Sequence, residues 1–221
     1  MAKRVSKNKK MIIEAYVDYV LRNSKEPDSV YAFMSDMGLK EAEFYKHFGS
    51  FESVNQSIFN SFFENVIDLL DKDENYAEYD SKDKLLSFYF TYFEVLTANR
   101  SYVKMILGSE FPNMKALNTL KEVRHDFLDY IGKLKLPEID LQMENIQDVA
   151  KKSRNEIFWQ QFLVTLKFWL DDSSQNFEKT DIFIEKSINT GFSIANVEPF
   201  RNVIDLGKFI LKERLGVKVE R

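Results

Sequence analysis

Residues 29 to 50 constrain the fold most strongly, because two short apolar-periodic segments flank a single glycine. The first segment ends at Met37, and the second ends at Phe48. Gly38 stands between them, where a left-handed backbone residue is needed. Two short helices joined in this way form a helix-turn-helix, the arrangement that carries a recognition helix into a DNA groove. Together with the apolar-periodic segment at 11–21, the stretch predicts a three-helix head.

The rest of the chain has a composition that favours long helices. Only 7 glycines and 4 prolines occur in 221 residues, of which 44% are hydrophobic and 30% charged. No segment shows the alternation typical of strands, and no apolar run approaches the roughly 20 residues needed to span a bilayer. The basic N-terminus lacks the apolar core of a signal peptide, which predicts a cytoplasmic protein. Long helices are expected at about 51–70, 114–134, 141–170 and 177–190, and an amphipathic one at about 199–215.

Catalytic and metal chemistry have little support in the sequence. Cysteine is absent, and the two histidines, His47 and His125, are too few for a conventional zinc site. No glycine-rich phosphate loop and no nucleophile elbow occur. We therefore expect neither an enzyme nor a protein that holds a cofactor or a metal.

The helix-turn-helix segment resembles the signature of the TetR family of bacterial repressors at Gly38, Leu39, Phe44, Tyr45, His47, Phe48 and Ser50. The count and order of the expected helices resemble the whole family architecture. This resemblance implies an all-α fold with an N-terminal three-helix head and a helical ligand-binding and dimerisation body. It divides the chain into a basic disordered tail at 1–10, a DNA-binding head at 11–50 and a body at 51–221. It also implies that the helices near 141–170 and 177–190 pair with a second subunit as a four-helix bundle.

The resemblance further implies which head residues face DNA. In the family, residues matching Tyr45 and His47 contact the DNA backbone, a contact that positions a protein without reading sequence. Carboxylates near the bases are compatible with DNA because they can accept a hydrogen bond from cytosine. The expected DNA-binding residues are therefore Lys40, Glu41, Ala42, Glu43, Tyr45, Lys46 and His47.

The charges of the head depart from the usual pattern of a DNA-binding surface. Residues 11–65 carry 4 basic and 9 acidic side chains, a net charge of 4 − 9 = −5. DNA affinity depends strongly on the neutralisation of phosphates. Lys40 stands where the family has a capping Ser or Thr, and Phe51 stands where it has a phosphate-contacting Lys. Five basic residues between Lys3 and Lys10 add a charge of +5, which offsets the net charge of the head. Their side chains are suited to contacts with the DNA backbone or with a minor groove.

Aromatic residues are concentrated in the expected body. Rings at helical spacing usually form a core, but the family fold encloses a ligand pocket, so both interpretations remain open. For an apolar small-molecule effector, the expected contact residues are Phe88, Tyr89, Tyr92, Phe93, Tyr102, Phe127, Phe158 and Phe162.

Two functions follow from the resemblance. The first is a transcriptional regulator that binds palindromic double-stranded DNA as a homodimer and is released by an apolar effector. The alternative is a lipid or isoprenoid binding protein that has lost DNA binding. Residues 169–174 with Phe177, Thr180 and Phe183 resemble the TetR-like lipid-binding protein of ubiquinone biosynthesis. In that alternative the helix near 199–215 lies on a membrane surface, although closing the body's core is the simpler role for it.

Overall fold

The computed structural model describes residues 7–134, 136 and 144–195, with side chains described for 7–134, 136 and 154–192. Helices dominate this part of the chain, as the sequence predicted, and the described residues include no strand. The expected helix at 199–215 lies outside the described residues. The described helices are α1 (Lys7–Asn23), α2 (Val30–Asp36), α3 (Glu41–Tyr45), α4 (Phe51–Leu70), α5 (Ser81–Ala98), α6 (Arg100–Leu107), α7 (Met114–Thr119), α8 (Lys121–Lys133), α9 (Glu144–Asp171) and α10 (Glu178–Ala195).

Local capping explains where the head helices begin and turn. The side chain of Ser29 accepts a hydrogen bond from the Ala32 amide and caps α2. Gly38 has φ of +69°, the left-handed conformation that the sequence predicted for this turn. At the start of α4, Ser50 and Ser53 form a reciprocal capping box.

The helices α1, α2 and α3 pack around a small aromatic core. Tyr16, Phe33 and Phe44 are buried there. The ring of Phe51, at the start of α4, stacks on Tyr16 with centroids 5.3 Å apart. It also meets the rings of Phe33 at 5.6 Å and Phe44 at 5.4 Å. Phe51 therefore belongs to the head core, which explains an aromatic residue where the resemblance implies a phosphate-contacting lysine.

The first helix begins earlier than expected, so the boundary of the tail at residue 10 needs correction. α1 starts at Lys7 and includes Lys9 and Lys10, while residues 1–6 lie outside the described residues. The Lys9 ammonium lies 5.4 Å from the ring centroid of Phe48, a cation–π contact that holds the first turn of α1 against the head.

Two further helix boundaries differ from the expected ones. α3 ends at Tyr45 rather than at His47, because the His47 amide bonds to the carbonyl of Phe44 in a turn. The helix expected at 114–134 is divided into α7 and α8 at Leu120, whose φ of −89° and ψ of 8° interrupt the helical backbone.

The body is built around α5, which packs against α4 on one side and α10 on the other. α8 joins the same core through contacts with α4 and α9. α4 therefore has a double role, because its start closes the head core while its later turns enter the body core. In the described residues, no helix is both apolar enough and long enough to cross a membrane.

Candidate nucleic-acid interface and the surfaces of the body

The predicted DNA-binding residues form one face made of α3 and the turns on either side of it. The aromatic rings of Phe44 and Phe48 point the other way and are buried in the head. This arrangement leaves the polar side chains accessible on the surface of a helix-turn-helix, while their role in DNA binding stays a prediction. All of the predicted residues are at least partly exposed: Lys40, Glu41, Ala42, Glu43, Tyr45, Lys46 and His47.

Two of the side chains that are predicted to contact phosphate are bonded instead to carboxylates of this face. The Tyr45 hydroxyl donates to Glu41 Oε1 at 3.2 Å, and Lys46 Nζ forms an ion pair with Glu43. The hydrogen bond from Lys46 holds the pKa of Glu43 below its usual range, so this residue is a carboxylate at neutral pH. Such exposed pairs are weak because solvent screens them. A phosphate can therefore replace the carboxylate as the partner of Tyr45 or Lys46.

The first turn of α1 lies beside this face and brings positive charge to it. Lys9 contacts the ring of Phe48, and Asn8 hydrogen-bonds to Glu43. Lys7 is exposed on the same turn. The basic N-terminal residues are therefore held next to the acidic side chains of α3, an arrangement that the sequence alone did not predict because it assigned residues 7–10 to a disordered tail.

Most of the predicted effector contacts pack against one another as a core. The ring of Phe162 lies near the centre, with centroids 5.0 Å from Phe127, 5.2 Å from Tyr92 and 5.9 Å from Tyr89. Phe88 and Phe93 are buried in the same cluster. An effector that enters this cluster must displace rings, so a pocket here stays a prediction.

The other two predicted effector contacts lie in different surroundings. Tyr102 meets the ring of Phe59 at 6.2 Å and donates a hydrogen bond to Asn55 on α4. Phe158 is partly exposed and meets Phe192 at 6.4 Å. Tyr102 is nevertheless buried in the same hydrophobic core, and Phe158 packs against the edge of that core.

Tyr92 carries the one polar atom of the central cluster that has no hydrogen-bond partner in the described residues. Its side chain is fully buried, and burial raises the pKa of its hydroxyl. The neighbouring Tyr89 differs, because its hydroxyl donates to Gln161. A buried hydroxyl without a partner is unusual in proteins and loses its hydration without compensation. A polar group placed beside Tyr92 would supply the missing partner of this hydroxyl.

We expect the Tyr92→Phe variant to raise the free energy of unfolding by about 1 kcal/mol, because it removes a buried hydroxyl that has no partner. The matched change Tyr102→Phe is expected to lower it by roughly 1–3 kcal/mol, because the buried Asn55 Oδ1 then loses its donor. Urea unfolding followed by tryptophan fluorescence measures both values. A clear loss of stability in Tyr92→Phe would contradict the assignment and indicate that the hydroxyl binds a polar group in the native protein.

The outer face of α9 and α10 exposes large apolar side chains. Ile157, Val164 and Phe168 lie on α9, and Ile182 lies opposite them on α10. The rings of Phe168 and Phe183 stack with centroids 4.6 Å apart, and they line an open groove of about 660 Å³ whose other lining residues lie on α10. Large exposed apolar patches are typical of interaction sites. Along α9 the exposed residues Ile157, Val164 and Phe168 are spaced by seven and four, which is the spacing of one helical stripe.

The turn between α9 and α10 contains the residues that carried the second, fainter resemblance. Arg100 lies 4.4 Å from the ring centroids of both Trp169 and Phe177, and it donates hydrogen bonds to three backbone carbonyls at the end of α9. Asp172 accepts hydrogen bonds from Ser174 and Thr180. Burial opposes ionisation of Asp172, but these bonds outweigh it and lower its pKa to about 2. A structural role in fixing this turn therefore accounts for Trp169, Asp172, Phe177 and Thr180.

The described residues include no group of three His, Asp or Glu side chains arranged to bind a metal ion. His47 belongs to the head surface, and His125 lies on α8.

The fold and surfaces together define a helix-turn-helix head that is joined through α4 to an all-helical body. Residues 84–210 match the family model described as "Tetracyclin repressor-like, C-terminal domain". Because this match covers more than half of the 221 residues, the chain belongs to the TetR family, and its all-α fold is TetR-like. The match lies in the body and leaves out the head. No curated protein shows significant similarity to the chain.

Proposed function

We propose that this TetR-family protein is a cytoplasmic, homodimeric transcriptional regulator that binds palindromic DNA through its head and is released by an apolar effector. The observation that carries the proposal is the exposed polar face of α3, held on a helix-turn-helix whose turn is set by Gly38. The second member of such a motif enters the major groove, and two heads of a dimer engage half-sites about one helical turn apart.

Electrostatics on this face support DNA binding in spite of the acidic residues. Glu41 and Glu43 are balanced in the free protein by Tyr45 and by Lys46, which directly follows α3. When phosphate takes over Tyr45 and Lys46, cytosine amino groups in the groove replace them as the hydrogen-bond donors to the two carboxylates. The lysines at the start of α1 add sequence-independent attraction to the backbone.

The apolar face of α9 and α10 supports the homodimer. Two copies related by a two-fold axis would bury Ile157, Val164, Phe168 and Ile182 against their equivalents. The groove beside Phe168 and Phe183 offers space for side chains of the second copy. Dimerisation would set the spacing of the heads, and an effector in the body would act by changing that spacing.

We expect Lys46→Ala to weaken DNA binding uniformly across sequences and to reduce the slope of log affinity against log salt by about 1, because one phosphate contact is lost. Tyr45→Phe is expected to weaken binding with little change in the salt slope, since it removes a neutral donor. The binding sequence is first selected from a random duplex library. Affinities are then measured by fluorescence anisotropy at several salt concentrations.

The matched control for this test is Lys72→Ala. Lys72 is exposed just beyond the end of α4, about 30 Å along that helix from the head. Its removal should leave the affinity and the salt slope unchanged. If no sequence is enriched and no salt-sensitive binding occurs at low salt, the proposed function fails.

A further inference from the structure

The loop between α1 and α2 places one carboxylate at the junction of head and body. Glu26 Oε1 accepts a hydrogen bond from the Tyr16 hydroxyl at 2.8 Å and from Asn55 Nδ2 at 2.8 Å. Glu26 Oε2 pairs with Lys115 Nζ at 3.1 Å. Tyr16 lies on α1, Asn55 on α4 and Lys115 on α7, so a single side chain connects head, linking helix and body.

A further member extends this junction into α6. The Tyr102 hydroxyl donates to Asn55 Oδ1 at 2.6 Å. Both polar atoms of the Asn55 side chain, Nδ2 and Oδ1, therefore form hydrogen bonds. Tyr16, Asn55 and Tyr102 are all buried. Buried polar networks of this kind are rigid when every member has a partner and costly when one partner is lost.

The carboxylate of Glu26 is charged although it is partly buried. Burial opposes its ionisation, but hydrogen bonds from Tyr16, Lys115 and Asn55, together with the charge of Lys115, outweigh burial and hold the pKa of Glu26 below its usual range. Removing Lys115 would therefore leave a partly buried negative charge without its cation.

We propose that Glu26 is the positioning residue that fixes the head on the body, and that it acts through Asn55 and Lys115. While α7 holds Lys115 against Glu26, the α1–α2 loop is tied to the body. A displacement of α6 or α7 withdraws Lys115 or Tyr102, and the head loses this anchor because hydrogen bonds weaken steeply with distance and angle. Glu26 thereby couples the body to the orientation of the recognition helix. The link to gene regulation rests on the proposed function, whereas the positioning itself does not.

The absence of cysteine allows a direct test with spin labels. Cysteines are introduced at Tyr31 on α2, which is 68% exposed, and at Phe90 on α5, which is 40% exposed. Labelled protein is mixed with an excess of unlabelled protein, so that only distances within one subunit are recorded by double electron–electron resonance. The measurement is made on the full chain without DNA, so a failure of DNA binding does not affect it.

Glu26→Gln and Lys115→Met are compared in this labelled background. Each is expected to broaden the Tyr31–Phe90 distance distribution or to shift its maximum by roughly 2 Å or more, the scale of a domain rearrangement. The double variant should change the distribution no further than either single one, because both remove the same interaction. Asp28→Asn is the matched control, because it removes a carboxylate from the same loop that pairs with Lys25 rather than with the body.

The distribution of the Asp28→Asn protein should match that of the unmodified labelled protein. Unchanged distributions in both Glu26→Gln and Lys115→Met would overturn the proposal. If Glu26→Gln fails to fold, Lys115→Met decides alone, because Lys115 is a largely exposed side chain whose loss the fold should tolerate. Additive effects of the two changes would also overturn it, since they would show that the residues act separately.

Discussion

A protein that carries both Val164→Arg and Ile182→Arg is expected to be a monomer at concentrations where the unmodified protein is a dimer. Val164 is 57% exposed and Ile182 is 50% exposed on the outer face of α9 and α10. Two-fold pairing of this face would bury four arginines without partners, and each uncompensated charge costs several kcal/mol. Light scattering coupled to size-exclusion chromatography gives the mass directly.

The same variant should lose DNA affinity by about 100-fold or more. A dimer holds its second head near the second half-site at a high effective concentration, and a monomer does not. Circular dichroism on the same samples checks that the helices of the subunit are intact. Anisotropy with the selected duplex then separates loss of pairing from loss of fold.

Leu69→Arg is the matched control for this experiment. Leu69 is also a large apolar residue, 43% exposed, but it lies at the end of α4, away from the proposed pairing face. It should leave both mass and DNA affinity unchanged. A double-arginine protein that still has the mass of a dimer would show that the subunits pair through another surface.

The head could be predicted from sequence because its signals are local. The caps of α2 and α4 are Ser29 and Ser50, and each bonds to an amide three residues further along the chain. The left-handed turn between α2 and α3 depends on Gly38 alone. The burial of Phe44 and Phe48 follows from helical spacing in the same way. The exception is α3, whose last turn opens after Tyr45, a detail that hydrophobic periodicity does not encode.

The junction at Glu26 could not be predicted because its partners are distant in sequence. Asn55 lies 29 positions away and Lys115 lies 89 positions away. A glutamate in a polar loop normally indicates solvent exposure, and nothing nearby distinguishes Glu26 from Asp28. Only the packing of α7 against α4 and of α6 against α1 brings these partners together around Glu26.

The aromatic body shows the limit of periodicity in another way. Spacing correctly indicated that Phe88, Tyr92 and Phe162 lie inside, because all three are buried. Spacing does not reveal whether rings fill the interior or line a cavity, since both arrangements hide the same positions from solvent. The ring contacts favour a filled centre around Phe162, which leads to a second large expected effect.

Phe162→Ala is expected to lower the free energy of unfolding by about 3–5 kcal/mol, the usual cost of removing a buried phenylalanine from a close-packed core. Its ring touches Tyr92 and Phe127, and it stacks on Trp159 with centroids 5.3 Å apart. Urea unfolding monitored by fluorescence suits the measurement, because Trp159 reports on the site itself. The exposed Phe90→Ala on α5 serves as the control and should cost much less.

The cavity left by Phe162→Ala should bind a small apolar molecule such as benzene or indole. Engineered cavities lined by apolar side chains stay dry and accept such ligands. A ligand that binds only the folded state adds about 1.4 kcal/mol of stability at ten times its dissociation constant, so part of the loss should be recovered. A Phe162→Ala protein as stable as Phe90→Ala would contradict a filled core, because it would mean that the ring already borders open space. That result would favour the effector pocket predicted around Tyr92, and the unmodified protein would then bind the same apolar molecules.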